Sequence, residues 1–234
     1  MAKDNKEHQP QHPTQEHKPK KAKPKGIFSL FWYYLKEDEG PIGWILNILV
    51  AFILIKYILL PGLGWALGTS FPLVAVVSGS MEHHGAFDPW WTRQCVNVNN
   101  GEQIILQKDL YANQGIDQEA FQDFRFRNGL NTGDLMIVTS PKDLLIGDVI
   151  VFNGNTNVDP IIHRIVSIDD REGQKVYKTK GDDNCGSSDF EQAIPPQRII
   201  GKAQVRIPLL GYVKVYFEKL LRFIGLESAV MLFR

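Results

Sequence analysis

Apolar and polar residues divide the chain into stretches of different character. Residues 1–26 carry almost no large apolar side chains, and residues 41–66 carry a single charge. Residues 67–208 alternate short apolar runs with turn residues, and residues 209–234 are amphipathic. A segment with few apolar groups cannot bury enough surface to fold. The pattern therefore predicts a disordered basic tail, a transmembrane anchor, a β-rich domain and a C-terminal helix.

The apolar stretch 41–66 is long enough to cross a bilayer. A spanning helix needs about 20 mostly apolar residues, and Lys56 is the only charged residue between Pro41 and Val77. The lysine-rich tail predicts a cytoplasmic N-terminus, which leaves the β-rich domain outside the cell. Residues 27–40 are aromatic and then charged, which predicts an interfacial segment or a docking face for a partner. We expect a single-pass protein of the cell membrane that contacts the lipid bilayer.

Short runs of branched residues, separated by Asp, Gly, Asn and Pro, predict a mainly β fold after the anchor. Residues 169–173 have the composition of a hairpin turn. Many short strands and few helical periods favour a folded sheet or barrel. The balanced charge gives no indication of nucleic-acid binding. The predicted strands are residues 135–138, 149–152, 161–162, 165–168, 175–180 and 199–207.

Two further segments flank or interrupt this domain. Residues 82–128 are polar and aromatic, which predicts an insertion over the domain with a short helix in residues 115–126. At the C-terminus, Lys214 and Arg222 lie on one face of a predicted helix whose other face is apolar. This helix is expected to lie at the membrane interface or dock a partner, and packing on the domain is an equal alternative.

The candidate chemistry begins at Ser80, in a Ser-Gly-Ser-Met turn that closes an apolar run. A hydroxyl attacks an amide usefully when a base takes its proton and donors stabilise the oxyanion. Outside the tail, the only imidazoles are those of His83, His84 and His163. His83 and His84 are near neighbours of the serine, which rarely permits the required geometry, and a metal role is their other interpretation. His163 lies in an apolar strand, where a buried structural histidine is common.

Five phrases in order resemble the type I signal peptidase family, in its archaeal and endoplasmic-reticulum branch. The resemblance covers residues 71–217 and includes a histidine where the bacterial branch has a lysine base. The phrases are Ser-Gly-Ser-Met (78–81), Gly-Asp-Val-Ile-Val-Phe (147–152), Pro-Ile-Ile-His-Arg-Ile-Val (160–166), Thr-Lys-Gly-Asp (179–182) and Gly-Lys-Ala-Gln-Val through Pro-Leu-Leu-Gly (201–211).

The resemblance implies a role for each of five positions. Ser80 would be the nucleophile and His163 the general base, with Ser78 and the backbone N–H of Ser80 as oxyanion donors. Asp189 would orient the histidine and Asp182 would support the loop, although these two acids are interchangeable on the sequence. The histidine replacing a proline after Ser-Gly-Ser-Met-Glu and the long insertion are departures from the family pattern.

The resemblance predicts a membrane-bound serine endopeptidase with a signal-peptidase-like β domain. It would cleave signal peptides from exported preproteins, without a metal or cofactor and with possible membrane subunits or a translocon as partners. A non-catalytic membrane-tethered scaffold is the alternative. A self-cleaving repressor-like protease lacks support, because no DNA-binding segment is apparent. Cys95 and Cys185 would both lie in the oxidising exterior, either bridged or as two thiols.

Overall fold

The structure is a computed structural model that describes residues 25–36, 40–97, 103–154, 160–223 and 225. The predicted disordered tail therefore lies almost entirely outside the described residues. The chain forms two compact units, Met1–Ile55 and Lys56–Arg234.

The described residues of the first unit are mostly helical. Helix α1 spans Ile27–Lys36 and helix α2 spans Pro41–Leu54. A π-helical turn, Ile55–Leu59, and helix α3, Leu60–Leu67, follow in the chain. The resulting 27-residue helix, Pro41–Leu67, has a mean hydropathy of 2.3 and is almost wholly exposed, so it is a candidate membrane span. An apolar helix without protein cover is stable when lipid surrounds it.

The second unit is built on a curled sheet of six antiparallel strands, which forms a half-barrel. The order across this sheet is first, fourth, eighth, fifth, sixth and seventh strand, and the second and third strands form a separate hairpin. The described strands are β1 Leu73–Ala75, β2 Gln94–Asn97, β3 Gln103–Leu106, β4 Leu135–Thr139, β5 Val149–Phe152, β6 Ile161–Arg171, β7 Gln174–Lys180 and β8 Ile199–Ile207.

The predicted mainly β fold with an N-terminal apolar helix is confirmed. The sequence suggested two short strands in residues 161–168, and the structure has one continuous strand, β6, with an irregularity between Ile165 and Ser167. The β6–β7 hairpin turns at Glu172 and Gly173, which both have positive φ. Such backbone angles match the turn types that suit hairpins, and the Gly173 N–H also donates to the Asp170 carboxylate.

Strand β5 explains why the sheet has a core on both faces. Alternate side chains of a strand point to opposite faces. Val149 and Val151 pack in one apolar cluster, whereas Ile150 and Phe152 pack in another. All four β5 residues are buried, which accounts for their continuous apolar sequence. Strand β6 pairs with β5 in a register that places His163 opposite Ile150.

The described residues between 82 and 128 pack around an aromatic core that they share with Val166 of β6. Helices α4 Phe87–Trp91, α5 Gln107–Ala112 and α6 Gln118–Asp123 accompany the β2–β3 hairpin in this segment. The sequence suggested a polar and aromatic insertion over the domain, and the aromatic residues of this segment are the ones that point inward and pack on β6. The buried cluster contains Phe87, Trp90, Trp91, Tyr111, Ile116, Phe121 and Val166.

The last described helix, α7, spans Tyr212–Phe223. It lies inside the predicted helical segment 209–234, most of whose remaining residues are outside the described part. Val213, Tyr216 and Phe223 expose large apolar surfaces on this helix.

Candidate active site

Ser80 lies on the turn that follows β1. The chain enters this turn from Val76, whose N–H donates to the Asp134 carbonyl and whose carbonyl accepts from Gly133. The Glu82 N–H donates to the Gly79 carbonyl, which closes the turn around the serine. Ser80 is half-buried, and its Oγ lies 3.0 Å from Nε2 of His163. The two residues are 83 positions apart in sequence, so the pairing depends on the sheet.

The imidazole of His163 is held at both nitrogens. Its Nδ1 lies 2.5 Å from Oε1 of Glu191, a carboxylate that accepts hydrogen bonds, so Nδ1 carries the ring proton. In the neutral ring, Nε2 is then a lone-pair acceptor facing the Ser80 hydroxyl. This is the tautomer that a general base needs, because Nε2 is free to take the proton of Ser80.

Glu191 is fixed by a short 3₁₀ turn, Asp189–Glu191. Its Oε1 also accepts from the Thr179 hydroxyl at 2.9 Å, and its Oε2 accepts from the Ser188 N–H at 3.1 Å. Burial opposes ionisation, but the hydrogen bonds from His163, Ser188 and Thr179 hold the pKa of the Glu191 carboxyl below its ordinary value. An ionised carboxylate at this place stabilises the positive charge that the His163 ring gains when it takes up a proton from Ser80.

The carboxylate beside His163 therefore differs from the two acids suggested by the sequence. Asp189 lies two residues earlier and is exposed at the start of the same turn. Asp182 is buried and faces Arg164 instead. A sequence signal for Glu191 exists in Ser188-Asp-Phe-Glu, because the Ser-x-x-Glu pattern of a capping box fixes the glutamate at the start of a helical turn.

Asp182 accepts four hydrogen bonds in a fully buried position. Arg164 donates through Nε at 2.9 Å and Nη2 at 2.7 Å, the Tyr111 hydroxyl donates at 2.8 Å, and Nε2 of His83 lies 3.1 Å from Oδ2. Burial opposes the charge, but Arg164 and His83 hold the pKa of the Asp182 carboxyl well below its ordinary range. Asp182 is thus a buried anion that connects β6 through Arg164, helix α5 through Tyr111 and the chain after Ser80 through His83.

Every N–H of the Arg164 guanidinium has an acceptor. Besides the two bonds to Asp182, Nη1 donates to the carbonyls of Arg125 and Gly147, and Nη2 donates to that of Phe126. The guanidinium also lies 4.8 Å from the centre of the Phe121 ring. A buried charge is tolerated when it is paired and its donors are satisfied. Arg164, which follows the histidine in β6, is therefore a structural cation.

Lys180 holds the loop that faces Ser80 and His163. Its buried Nζ donates to Oε1 of Gln107 and to the carbonyls of Gly181 and Asp182, at 2.9 to 3.0 Å. Burial lowers the pKa of the Lys180 ammonium to about 7, against the opposing influence of Asp182 and Asp183. Gln107 belongs to helix α5, so the inserted segment supports this loop directly.

Gly181 permits the close approach of that loop. A Cβ at this position would come within 2.8 Å of His163 Nε2 and of the Ser80 carbonyl oxygen. The Asp183 N–H donates to the same Ser80 carbonyl at 2.8 Å. A side chain at position 181 would push the loop away from both residues, which explains the glycine of the Lys-Gly-Asp phrase.

The remaining predicted residues lie around this centre. The Ser78 hydroxyl is 3.2 Å from Ser80 Oγ, on the exposed side of the turn. His84 is largely exposed, with Nε2 at 3.2 Å from an Asp183 carboxylate oxygen. Among the described residues, no group of three or more His, Cys, Asp or Glu side chains is arranged to hold a metal ion.

Cys95 and Cys185 form a disulfide bond, which decides between the two alternatives that the sequence left open. Cys95 lies in β2 of the inserted segment, and Cys185 follows the loop that contains Gly181 and Asp182. The bond therefore ties the insertion to the chain that leads to Glu191. Arg93 adds an ion pair to Asp183 beside it.

Removing this disulfide is expected to destabilise the second unit. The bond closes a loop between positions separated by 90 residues, and a long closed loop lowers the entropy of the unfolded chain. The double variant Cys95→Ser/Cys185→Ser should lose about 2–4 kcal/mol of unfolding free energy. Urea unfolding followed by tryptophan fluorescence measures the loss. An unchanged midpoint, with wild type proven oxidised on a non-reducing gel, would contradict the prediction.

The three side chains of Ser80, His163 and Glu191 have the arrangement that activates a hydroxyl. A base faces the hydroxyl, and a carboxylate fixes the tautomer of the base and stabilises its protonated form. The same constellation occurs on unrelated folds, where it serves acyl transfer, so the geometry is of a kind that can carry out this chemistry and leaves the substrate open.

Comparison with known proteins gives a partial similarity. No protein-family model matches the chain. A curated protein, the signal peptidase complex catalytic subunit SEC11 of Lachancea thermotolerans, is 28% identical over 101 residues. The match covers 37% of this chain and 57% of SEC11, so it spans little more than half the length of that relative. This distant similarity supports a relationship between the chain and the signal peptidases.

Proposed function

We propose that the chain is a membrane-bound serine endopeptidase that cleaves N-terminal signal peptides from exported preproteins. Ser80 is the nucleophile, His163 is the general base and Glu191 is the acid that orients the histidine. Glu191 takes the role that the sequence suggested for Asp189, and Asp182 is a buried support. The observation that carries the proposal is the continuous contact from Ser80 Oγ through His163 to the Glu191 carboxylate.

The proposed reaction has two halves. His163 Nε2 takes the Ser80 proton as Oγ attacks the scissile carbonyl carbon, and the protonated ring then gives the proton to the leaving amine. The resulting acyl-enzyme is released when His163 activates a water molecule in the same way. Glu191 stays ionised throughout and stabilises the imidazolium, which agrees with the lowered pKa of its carboxyl.

Stabilisation of the oxyanion is assigned to Ser78 and to the backbone N–H of Ser80. A tetrahedral intermediate formed at Ser80 Oγ lies beside the Ser78 hydroxyl, which is 3.2 Å from that oxygen. A positioned donor of this kind typically contributes about 10²–10³-fold to kcat. No metal or organic cofactor is needed for this chemistry.

Strand β1 is the proposed binding edge for the extended substrate. It is the first strand in the order of the sheet, pairs with β4, and leads directly into the Ser80 turn. A peptide that adds to the other edge of a strand gains backbone hydrogen bonds. An exported preprotein presents an extended segment after an apolar helix, and the apolar helix Pro41–Leu67 would keep the enzyme in the same bilayer.

The cellular setting follows from the same proposal. The tail is cytoplasmic, the chain crosses the membrane once, and the β domain is extracytoplasmic. The similar protein SEC11 is named as a subunit of a signal peptidase complex, so other membrane subunits or the translocon are candidate partners.

Cleavage of a model preprotein by the full chain in detergent micelles tests this function. Wild type is expected to release the signal peptide, and Ser80→Ala and His163→Ala are each expected to abolish release. Ser80→Ala removes the nucleophile with little change in volume, and His163→Ala removes the base. Unfolding midpoints measured in parallel establish that the variants are folded.

The outcomes of this experiment separate the proposal from its rival. Unchanged cleavage by Ser80→Ala or by His163→Ala would remove that residue from the mechanism. No cleavage by wild type, either alone or with membrane extract that supplies missing subunits, would favour a non-catalytic membrane-tethered scaffold.

A further inference from the structure

We propose that His83 is a positioning residue, which holds the Ser80 turn in register with His163 through a hydrogen bond to Asp182. Its effect on catalysis rests on the function proposed above, and its effect on the Ser80–His163 contact does not. His83 lies three residues after Ser80 in the chain, is 3% exposed and does not contact the reacting atoms in the described structure.

The ring of His83 is held on its face and at its edge. It stacks on the indole of Trp90 with ring centres 3.6 Å apart and planes 5° from parallel. A Cβ on Gly129 would come within 2.6 Å of the His83 ring, so the backbone of Gly129 lies directly against it. These contacts hold the ring in the position that directs Nε2 at the Asp182 carboxylate.

The protonation of the ring agrees with a donor role. Within the described part of the chain, Nδ1 of His83 is buried and has no hydrogen-bond partner. A buried N–H without an acceptor is costly, whereas a bare ring nitrogen is tolerated better. The single proton of the neutral ring therefore belongs on Nε2, where Asp182 accepts it.

Asp182 connects the two halves of the candidate site. Arg164, which follows His163 in β6, binds it from one side, and His83 binds it from the chain that carries Ser80. The neighbouring Asp183 N–H holds the Ser80 carbonyl. The bond between His83 and Asp182 thus closes a short path from the nucleophile to the strand of the base.

Tyr111 provides a natural comparison for this role. Its hydroxyl donates to the same carboxylate at 2.8 Å, but it comes from helix α5 of the inserted segment. Losing the Tyr111 donor weakens the solvation of the Asp182 charge and leaves the Ser80 turn connected. Losing the His83 donor removes the side-chain hydrogen bond from that turn to Asp182 and leaves the turn held by backbone contacts such as that of the Asp183 N–H. Comparing a variant without the Tyr111 donor with one without the His83 donor therefore distinguishes structural support of Asp182 from positioning of Ser80.

The first experiment compares three variants at position 83 in preprotein cleavage by the full chain. His83→Phe keeps a ring for Trp90 and removes the donor, His83→Gln keeps a donor at similar reach, and His83→Asn is too short to reach Asp182. We expect His83→Phe and His83→Asn to lower kcat by about 10- to 100-fold with little change in KM, because a displacement of the nucleophile by about 1 Å can cost up to about 100-fold in rate. His83→Gln should retain most of kcat.

Two control variants accompany this series. Tyr111→Phe should lower the unfolding midpoint with a far smaller loss of kcat. His84→Asn changes the adjacent, largely exposed histidine, which contacts Asp183 rather than Asp182, and asparagine tolerates the positive φ of that position. This control should leave kcat unchanged.

A second experiment probes the contact between position 80 and His163 without any preprotein. The chain has two cysteines and both are in the disulfide, so Ser80→Cys introduces the single thiol. An adjacent imidazole raises the thiolate fraction and hence the alkylation rate with iodoacetamide near pH 7. Adding His83→Phe should lower this rate to that of Ser80→Cys/His163→Ala, whereas adding His83→Gln should preserve it.

Each outcome decides the proposal. Equal kcat losses in His83→Phe and Tyr111→Phe would overturn it, since His83 would then only help to satisfy a buried charge. Equal losses in His83→Phe and His83→Gln would show that the donor is irrelevant. If wild type cleaves no preprotein, the proposed function fails, and the alkylation series still determines whether His83 aligns position 80 with His163.

Discussion

Replacing Glu191 by Gln is expected to lower kcat for preprotein cleavage by about 10⁴-fold, the size of effect found when the acid of a serine protease triad is made an amide. The side chain keeps its volume, but an amide can donate to Nδ1 of His163. That exchange favours the ring tautomer with its proton on Nε2, where it faces Ser80 and cannot act as a base. KM should change little, because Glu191 is buried behind the histidine.

The matched control is Asp189→Asn, two residues earlier in the same 3₁₀ turn. Asp189 is exposed, and its replacement should leave kcat near the wild-type value. A large loss in Asp189→Asn together with normal activity in Glu191→Gln would reverse the assignment of the acid. Steady-state cleavage rates of the three proteins, at equal folded fraction, decide between the two carboxylates.

Breaking the buried pair of Arg164 and Asp182 is expected to destabilise the second unit strongly. Asp182→Asn leaves the Arg164 guanidinium buried and fully desolvated without its counterion. Removing one partner of such a pair typically costs about 3–5 kcal/mol. The loss is measured by urea unfolding in detergent, followed by fluorescence of the buried Trp90 and Trp91, which belong to the same unit.

A double variant identifies the source of this loss. Arg164→Met alone should be destabilising because it leaves Asp182 as an uncompensated anion. Arg164→Met/Asp182→Asn contains neither charge, so it should lose less than the sum of the two single losses, with a coupling of about 1–3 kcal/mol. Additive losses would mean that the two side chains stabilise the unit independently, which would contradict an energetic interaction between them.

The same pair predicts a direction of pH dependence. The pKa of the Asp182 carboxyl is lower in the folded chain than its value of about 3.9 in an unfolded chain. Its stabilisation is therefore fully present above about pH 4 and is lost as the pH falls through the lowered folded value. The stability difference between wild type and Asp182→Asn should shrink in strong acid and stay constant near neutral pH.

The sequence determined the class of fold because its signals are local. Strand β5 is apolar at every position, since both of its faces are covered, and Glu172–Gly173 turns the β6–β7 hairpin because glycine accepts positive φ. The apolar stretch after Pro41 similarly determines a long exposed helix by composition alone. These features depend on residues close together in the chain, so pattern and spacing are sufficient to predict them.

The sequence also indicated Ser80 and His163 as candidates, because few imidazoles were available and the phrases around both residues resemble those of one family. It did not identify Glu191. Four acidic residues, Asp182, Asp183, Asp189 and Glu191, follow β7 within a short span. Which of them reaches Nδ1 depends on the path of the loop and on the rotation of one 3₁₀ turn. Spacing along the chain does not contain that information.

Only the tertiary structure decided how the distant parts meet. It paired Cys95 with Cys185, turned Asp182 toward Arg164, and placed the ring of His83 between Trp90 and the backbone of Gly129. Apart from the stacking of His83 on Trp90, each of these contacts joins residues that are well separated in sequence, and each involves buried groups. A charge or donor enclosed by the fold must find the partner that the packing brings to it, whereas a local pattern specifies only the element in which the residue lies.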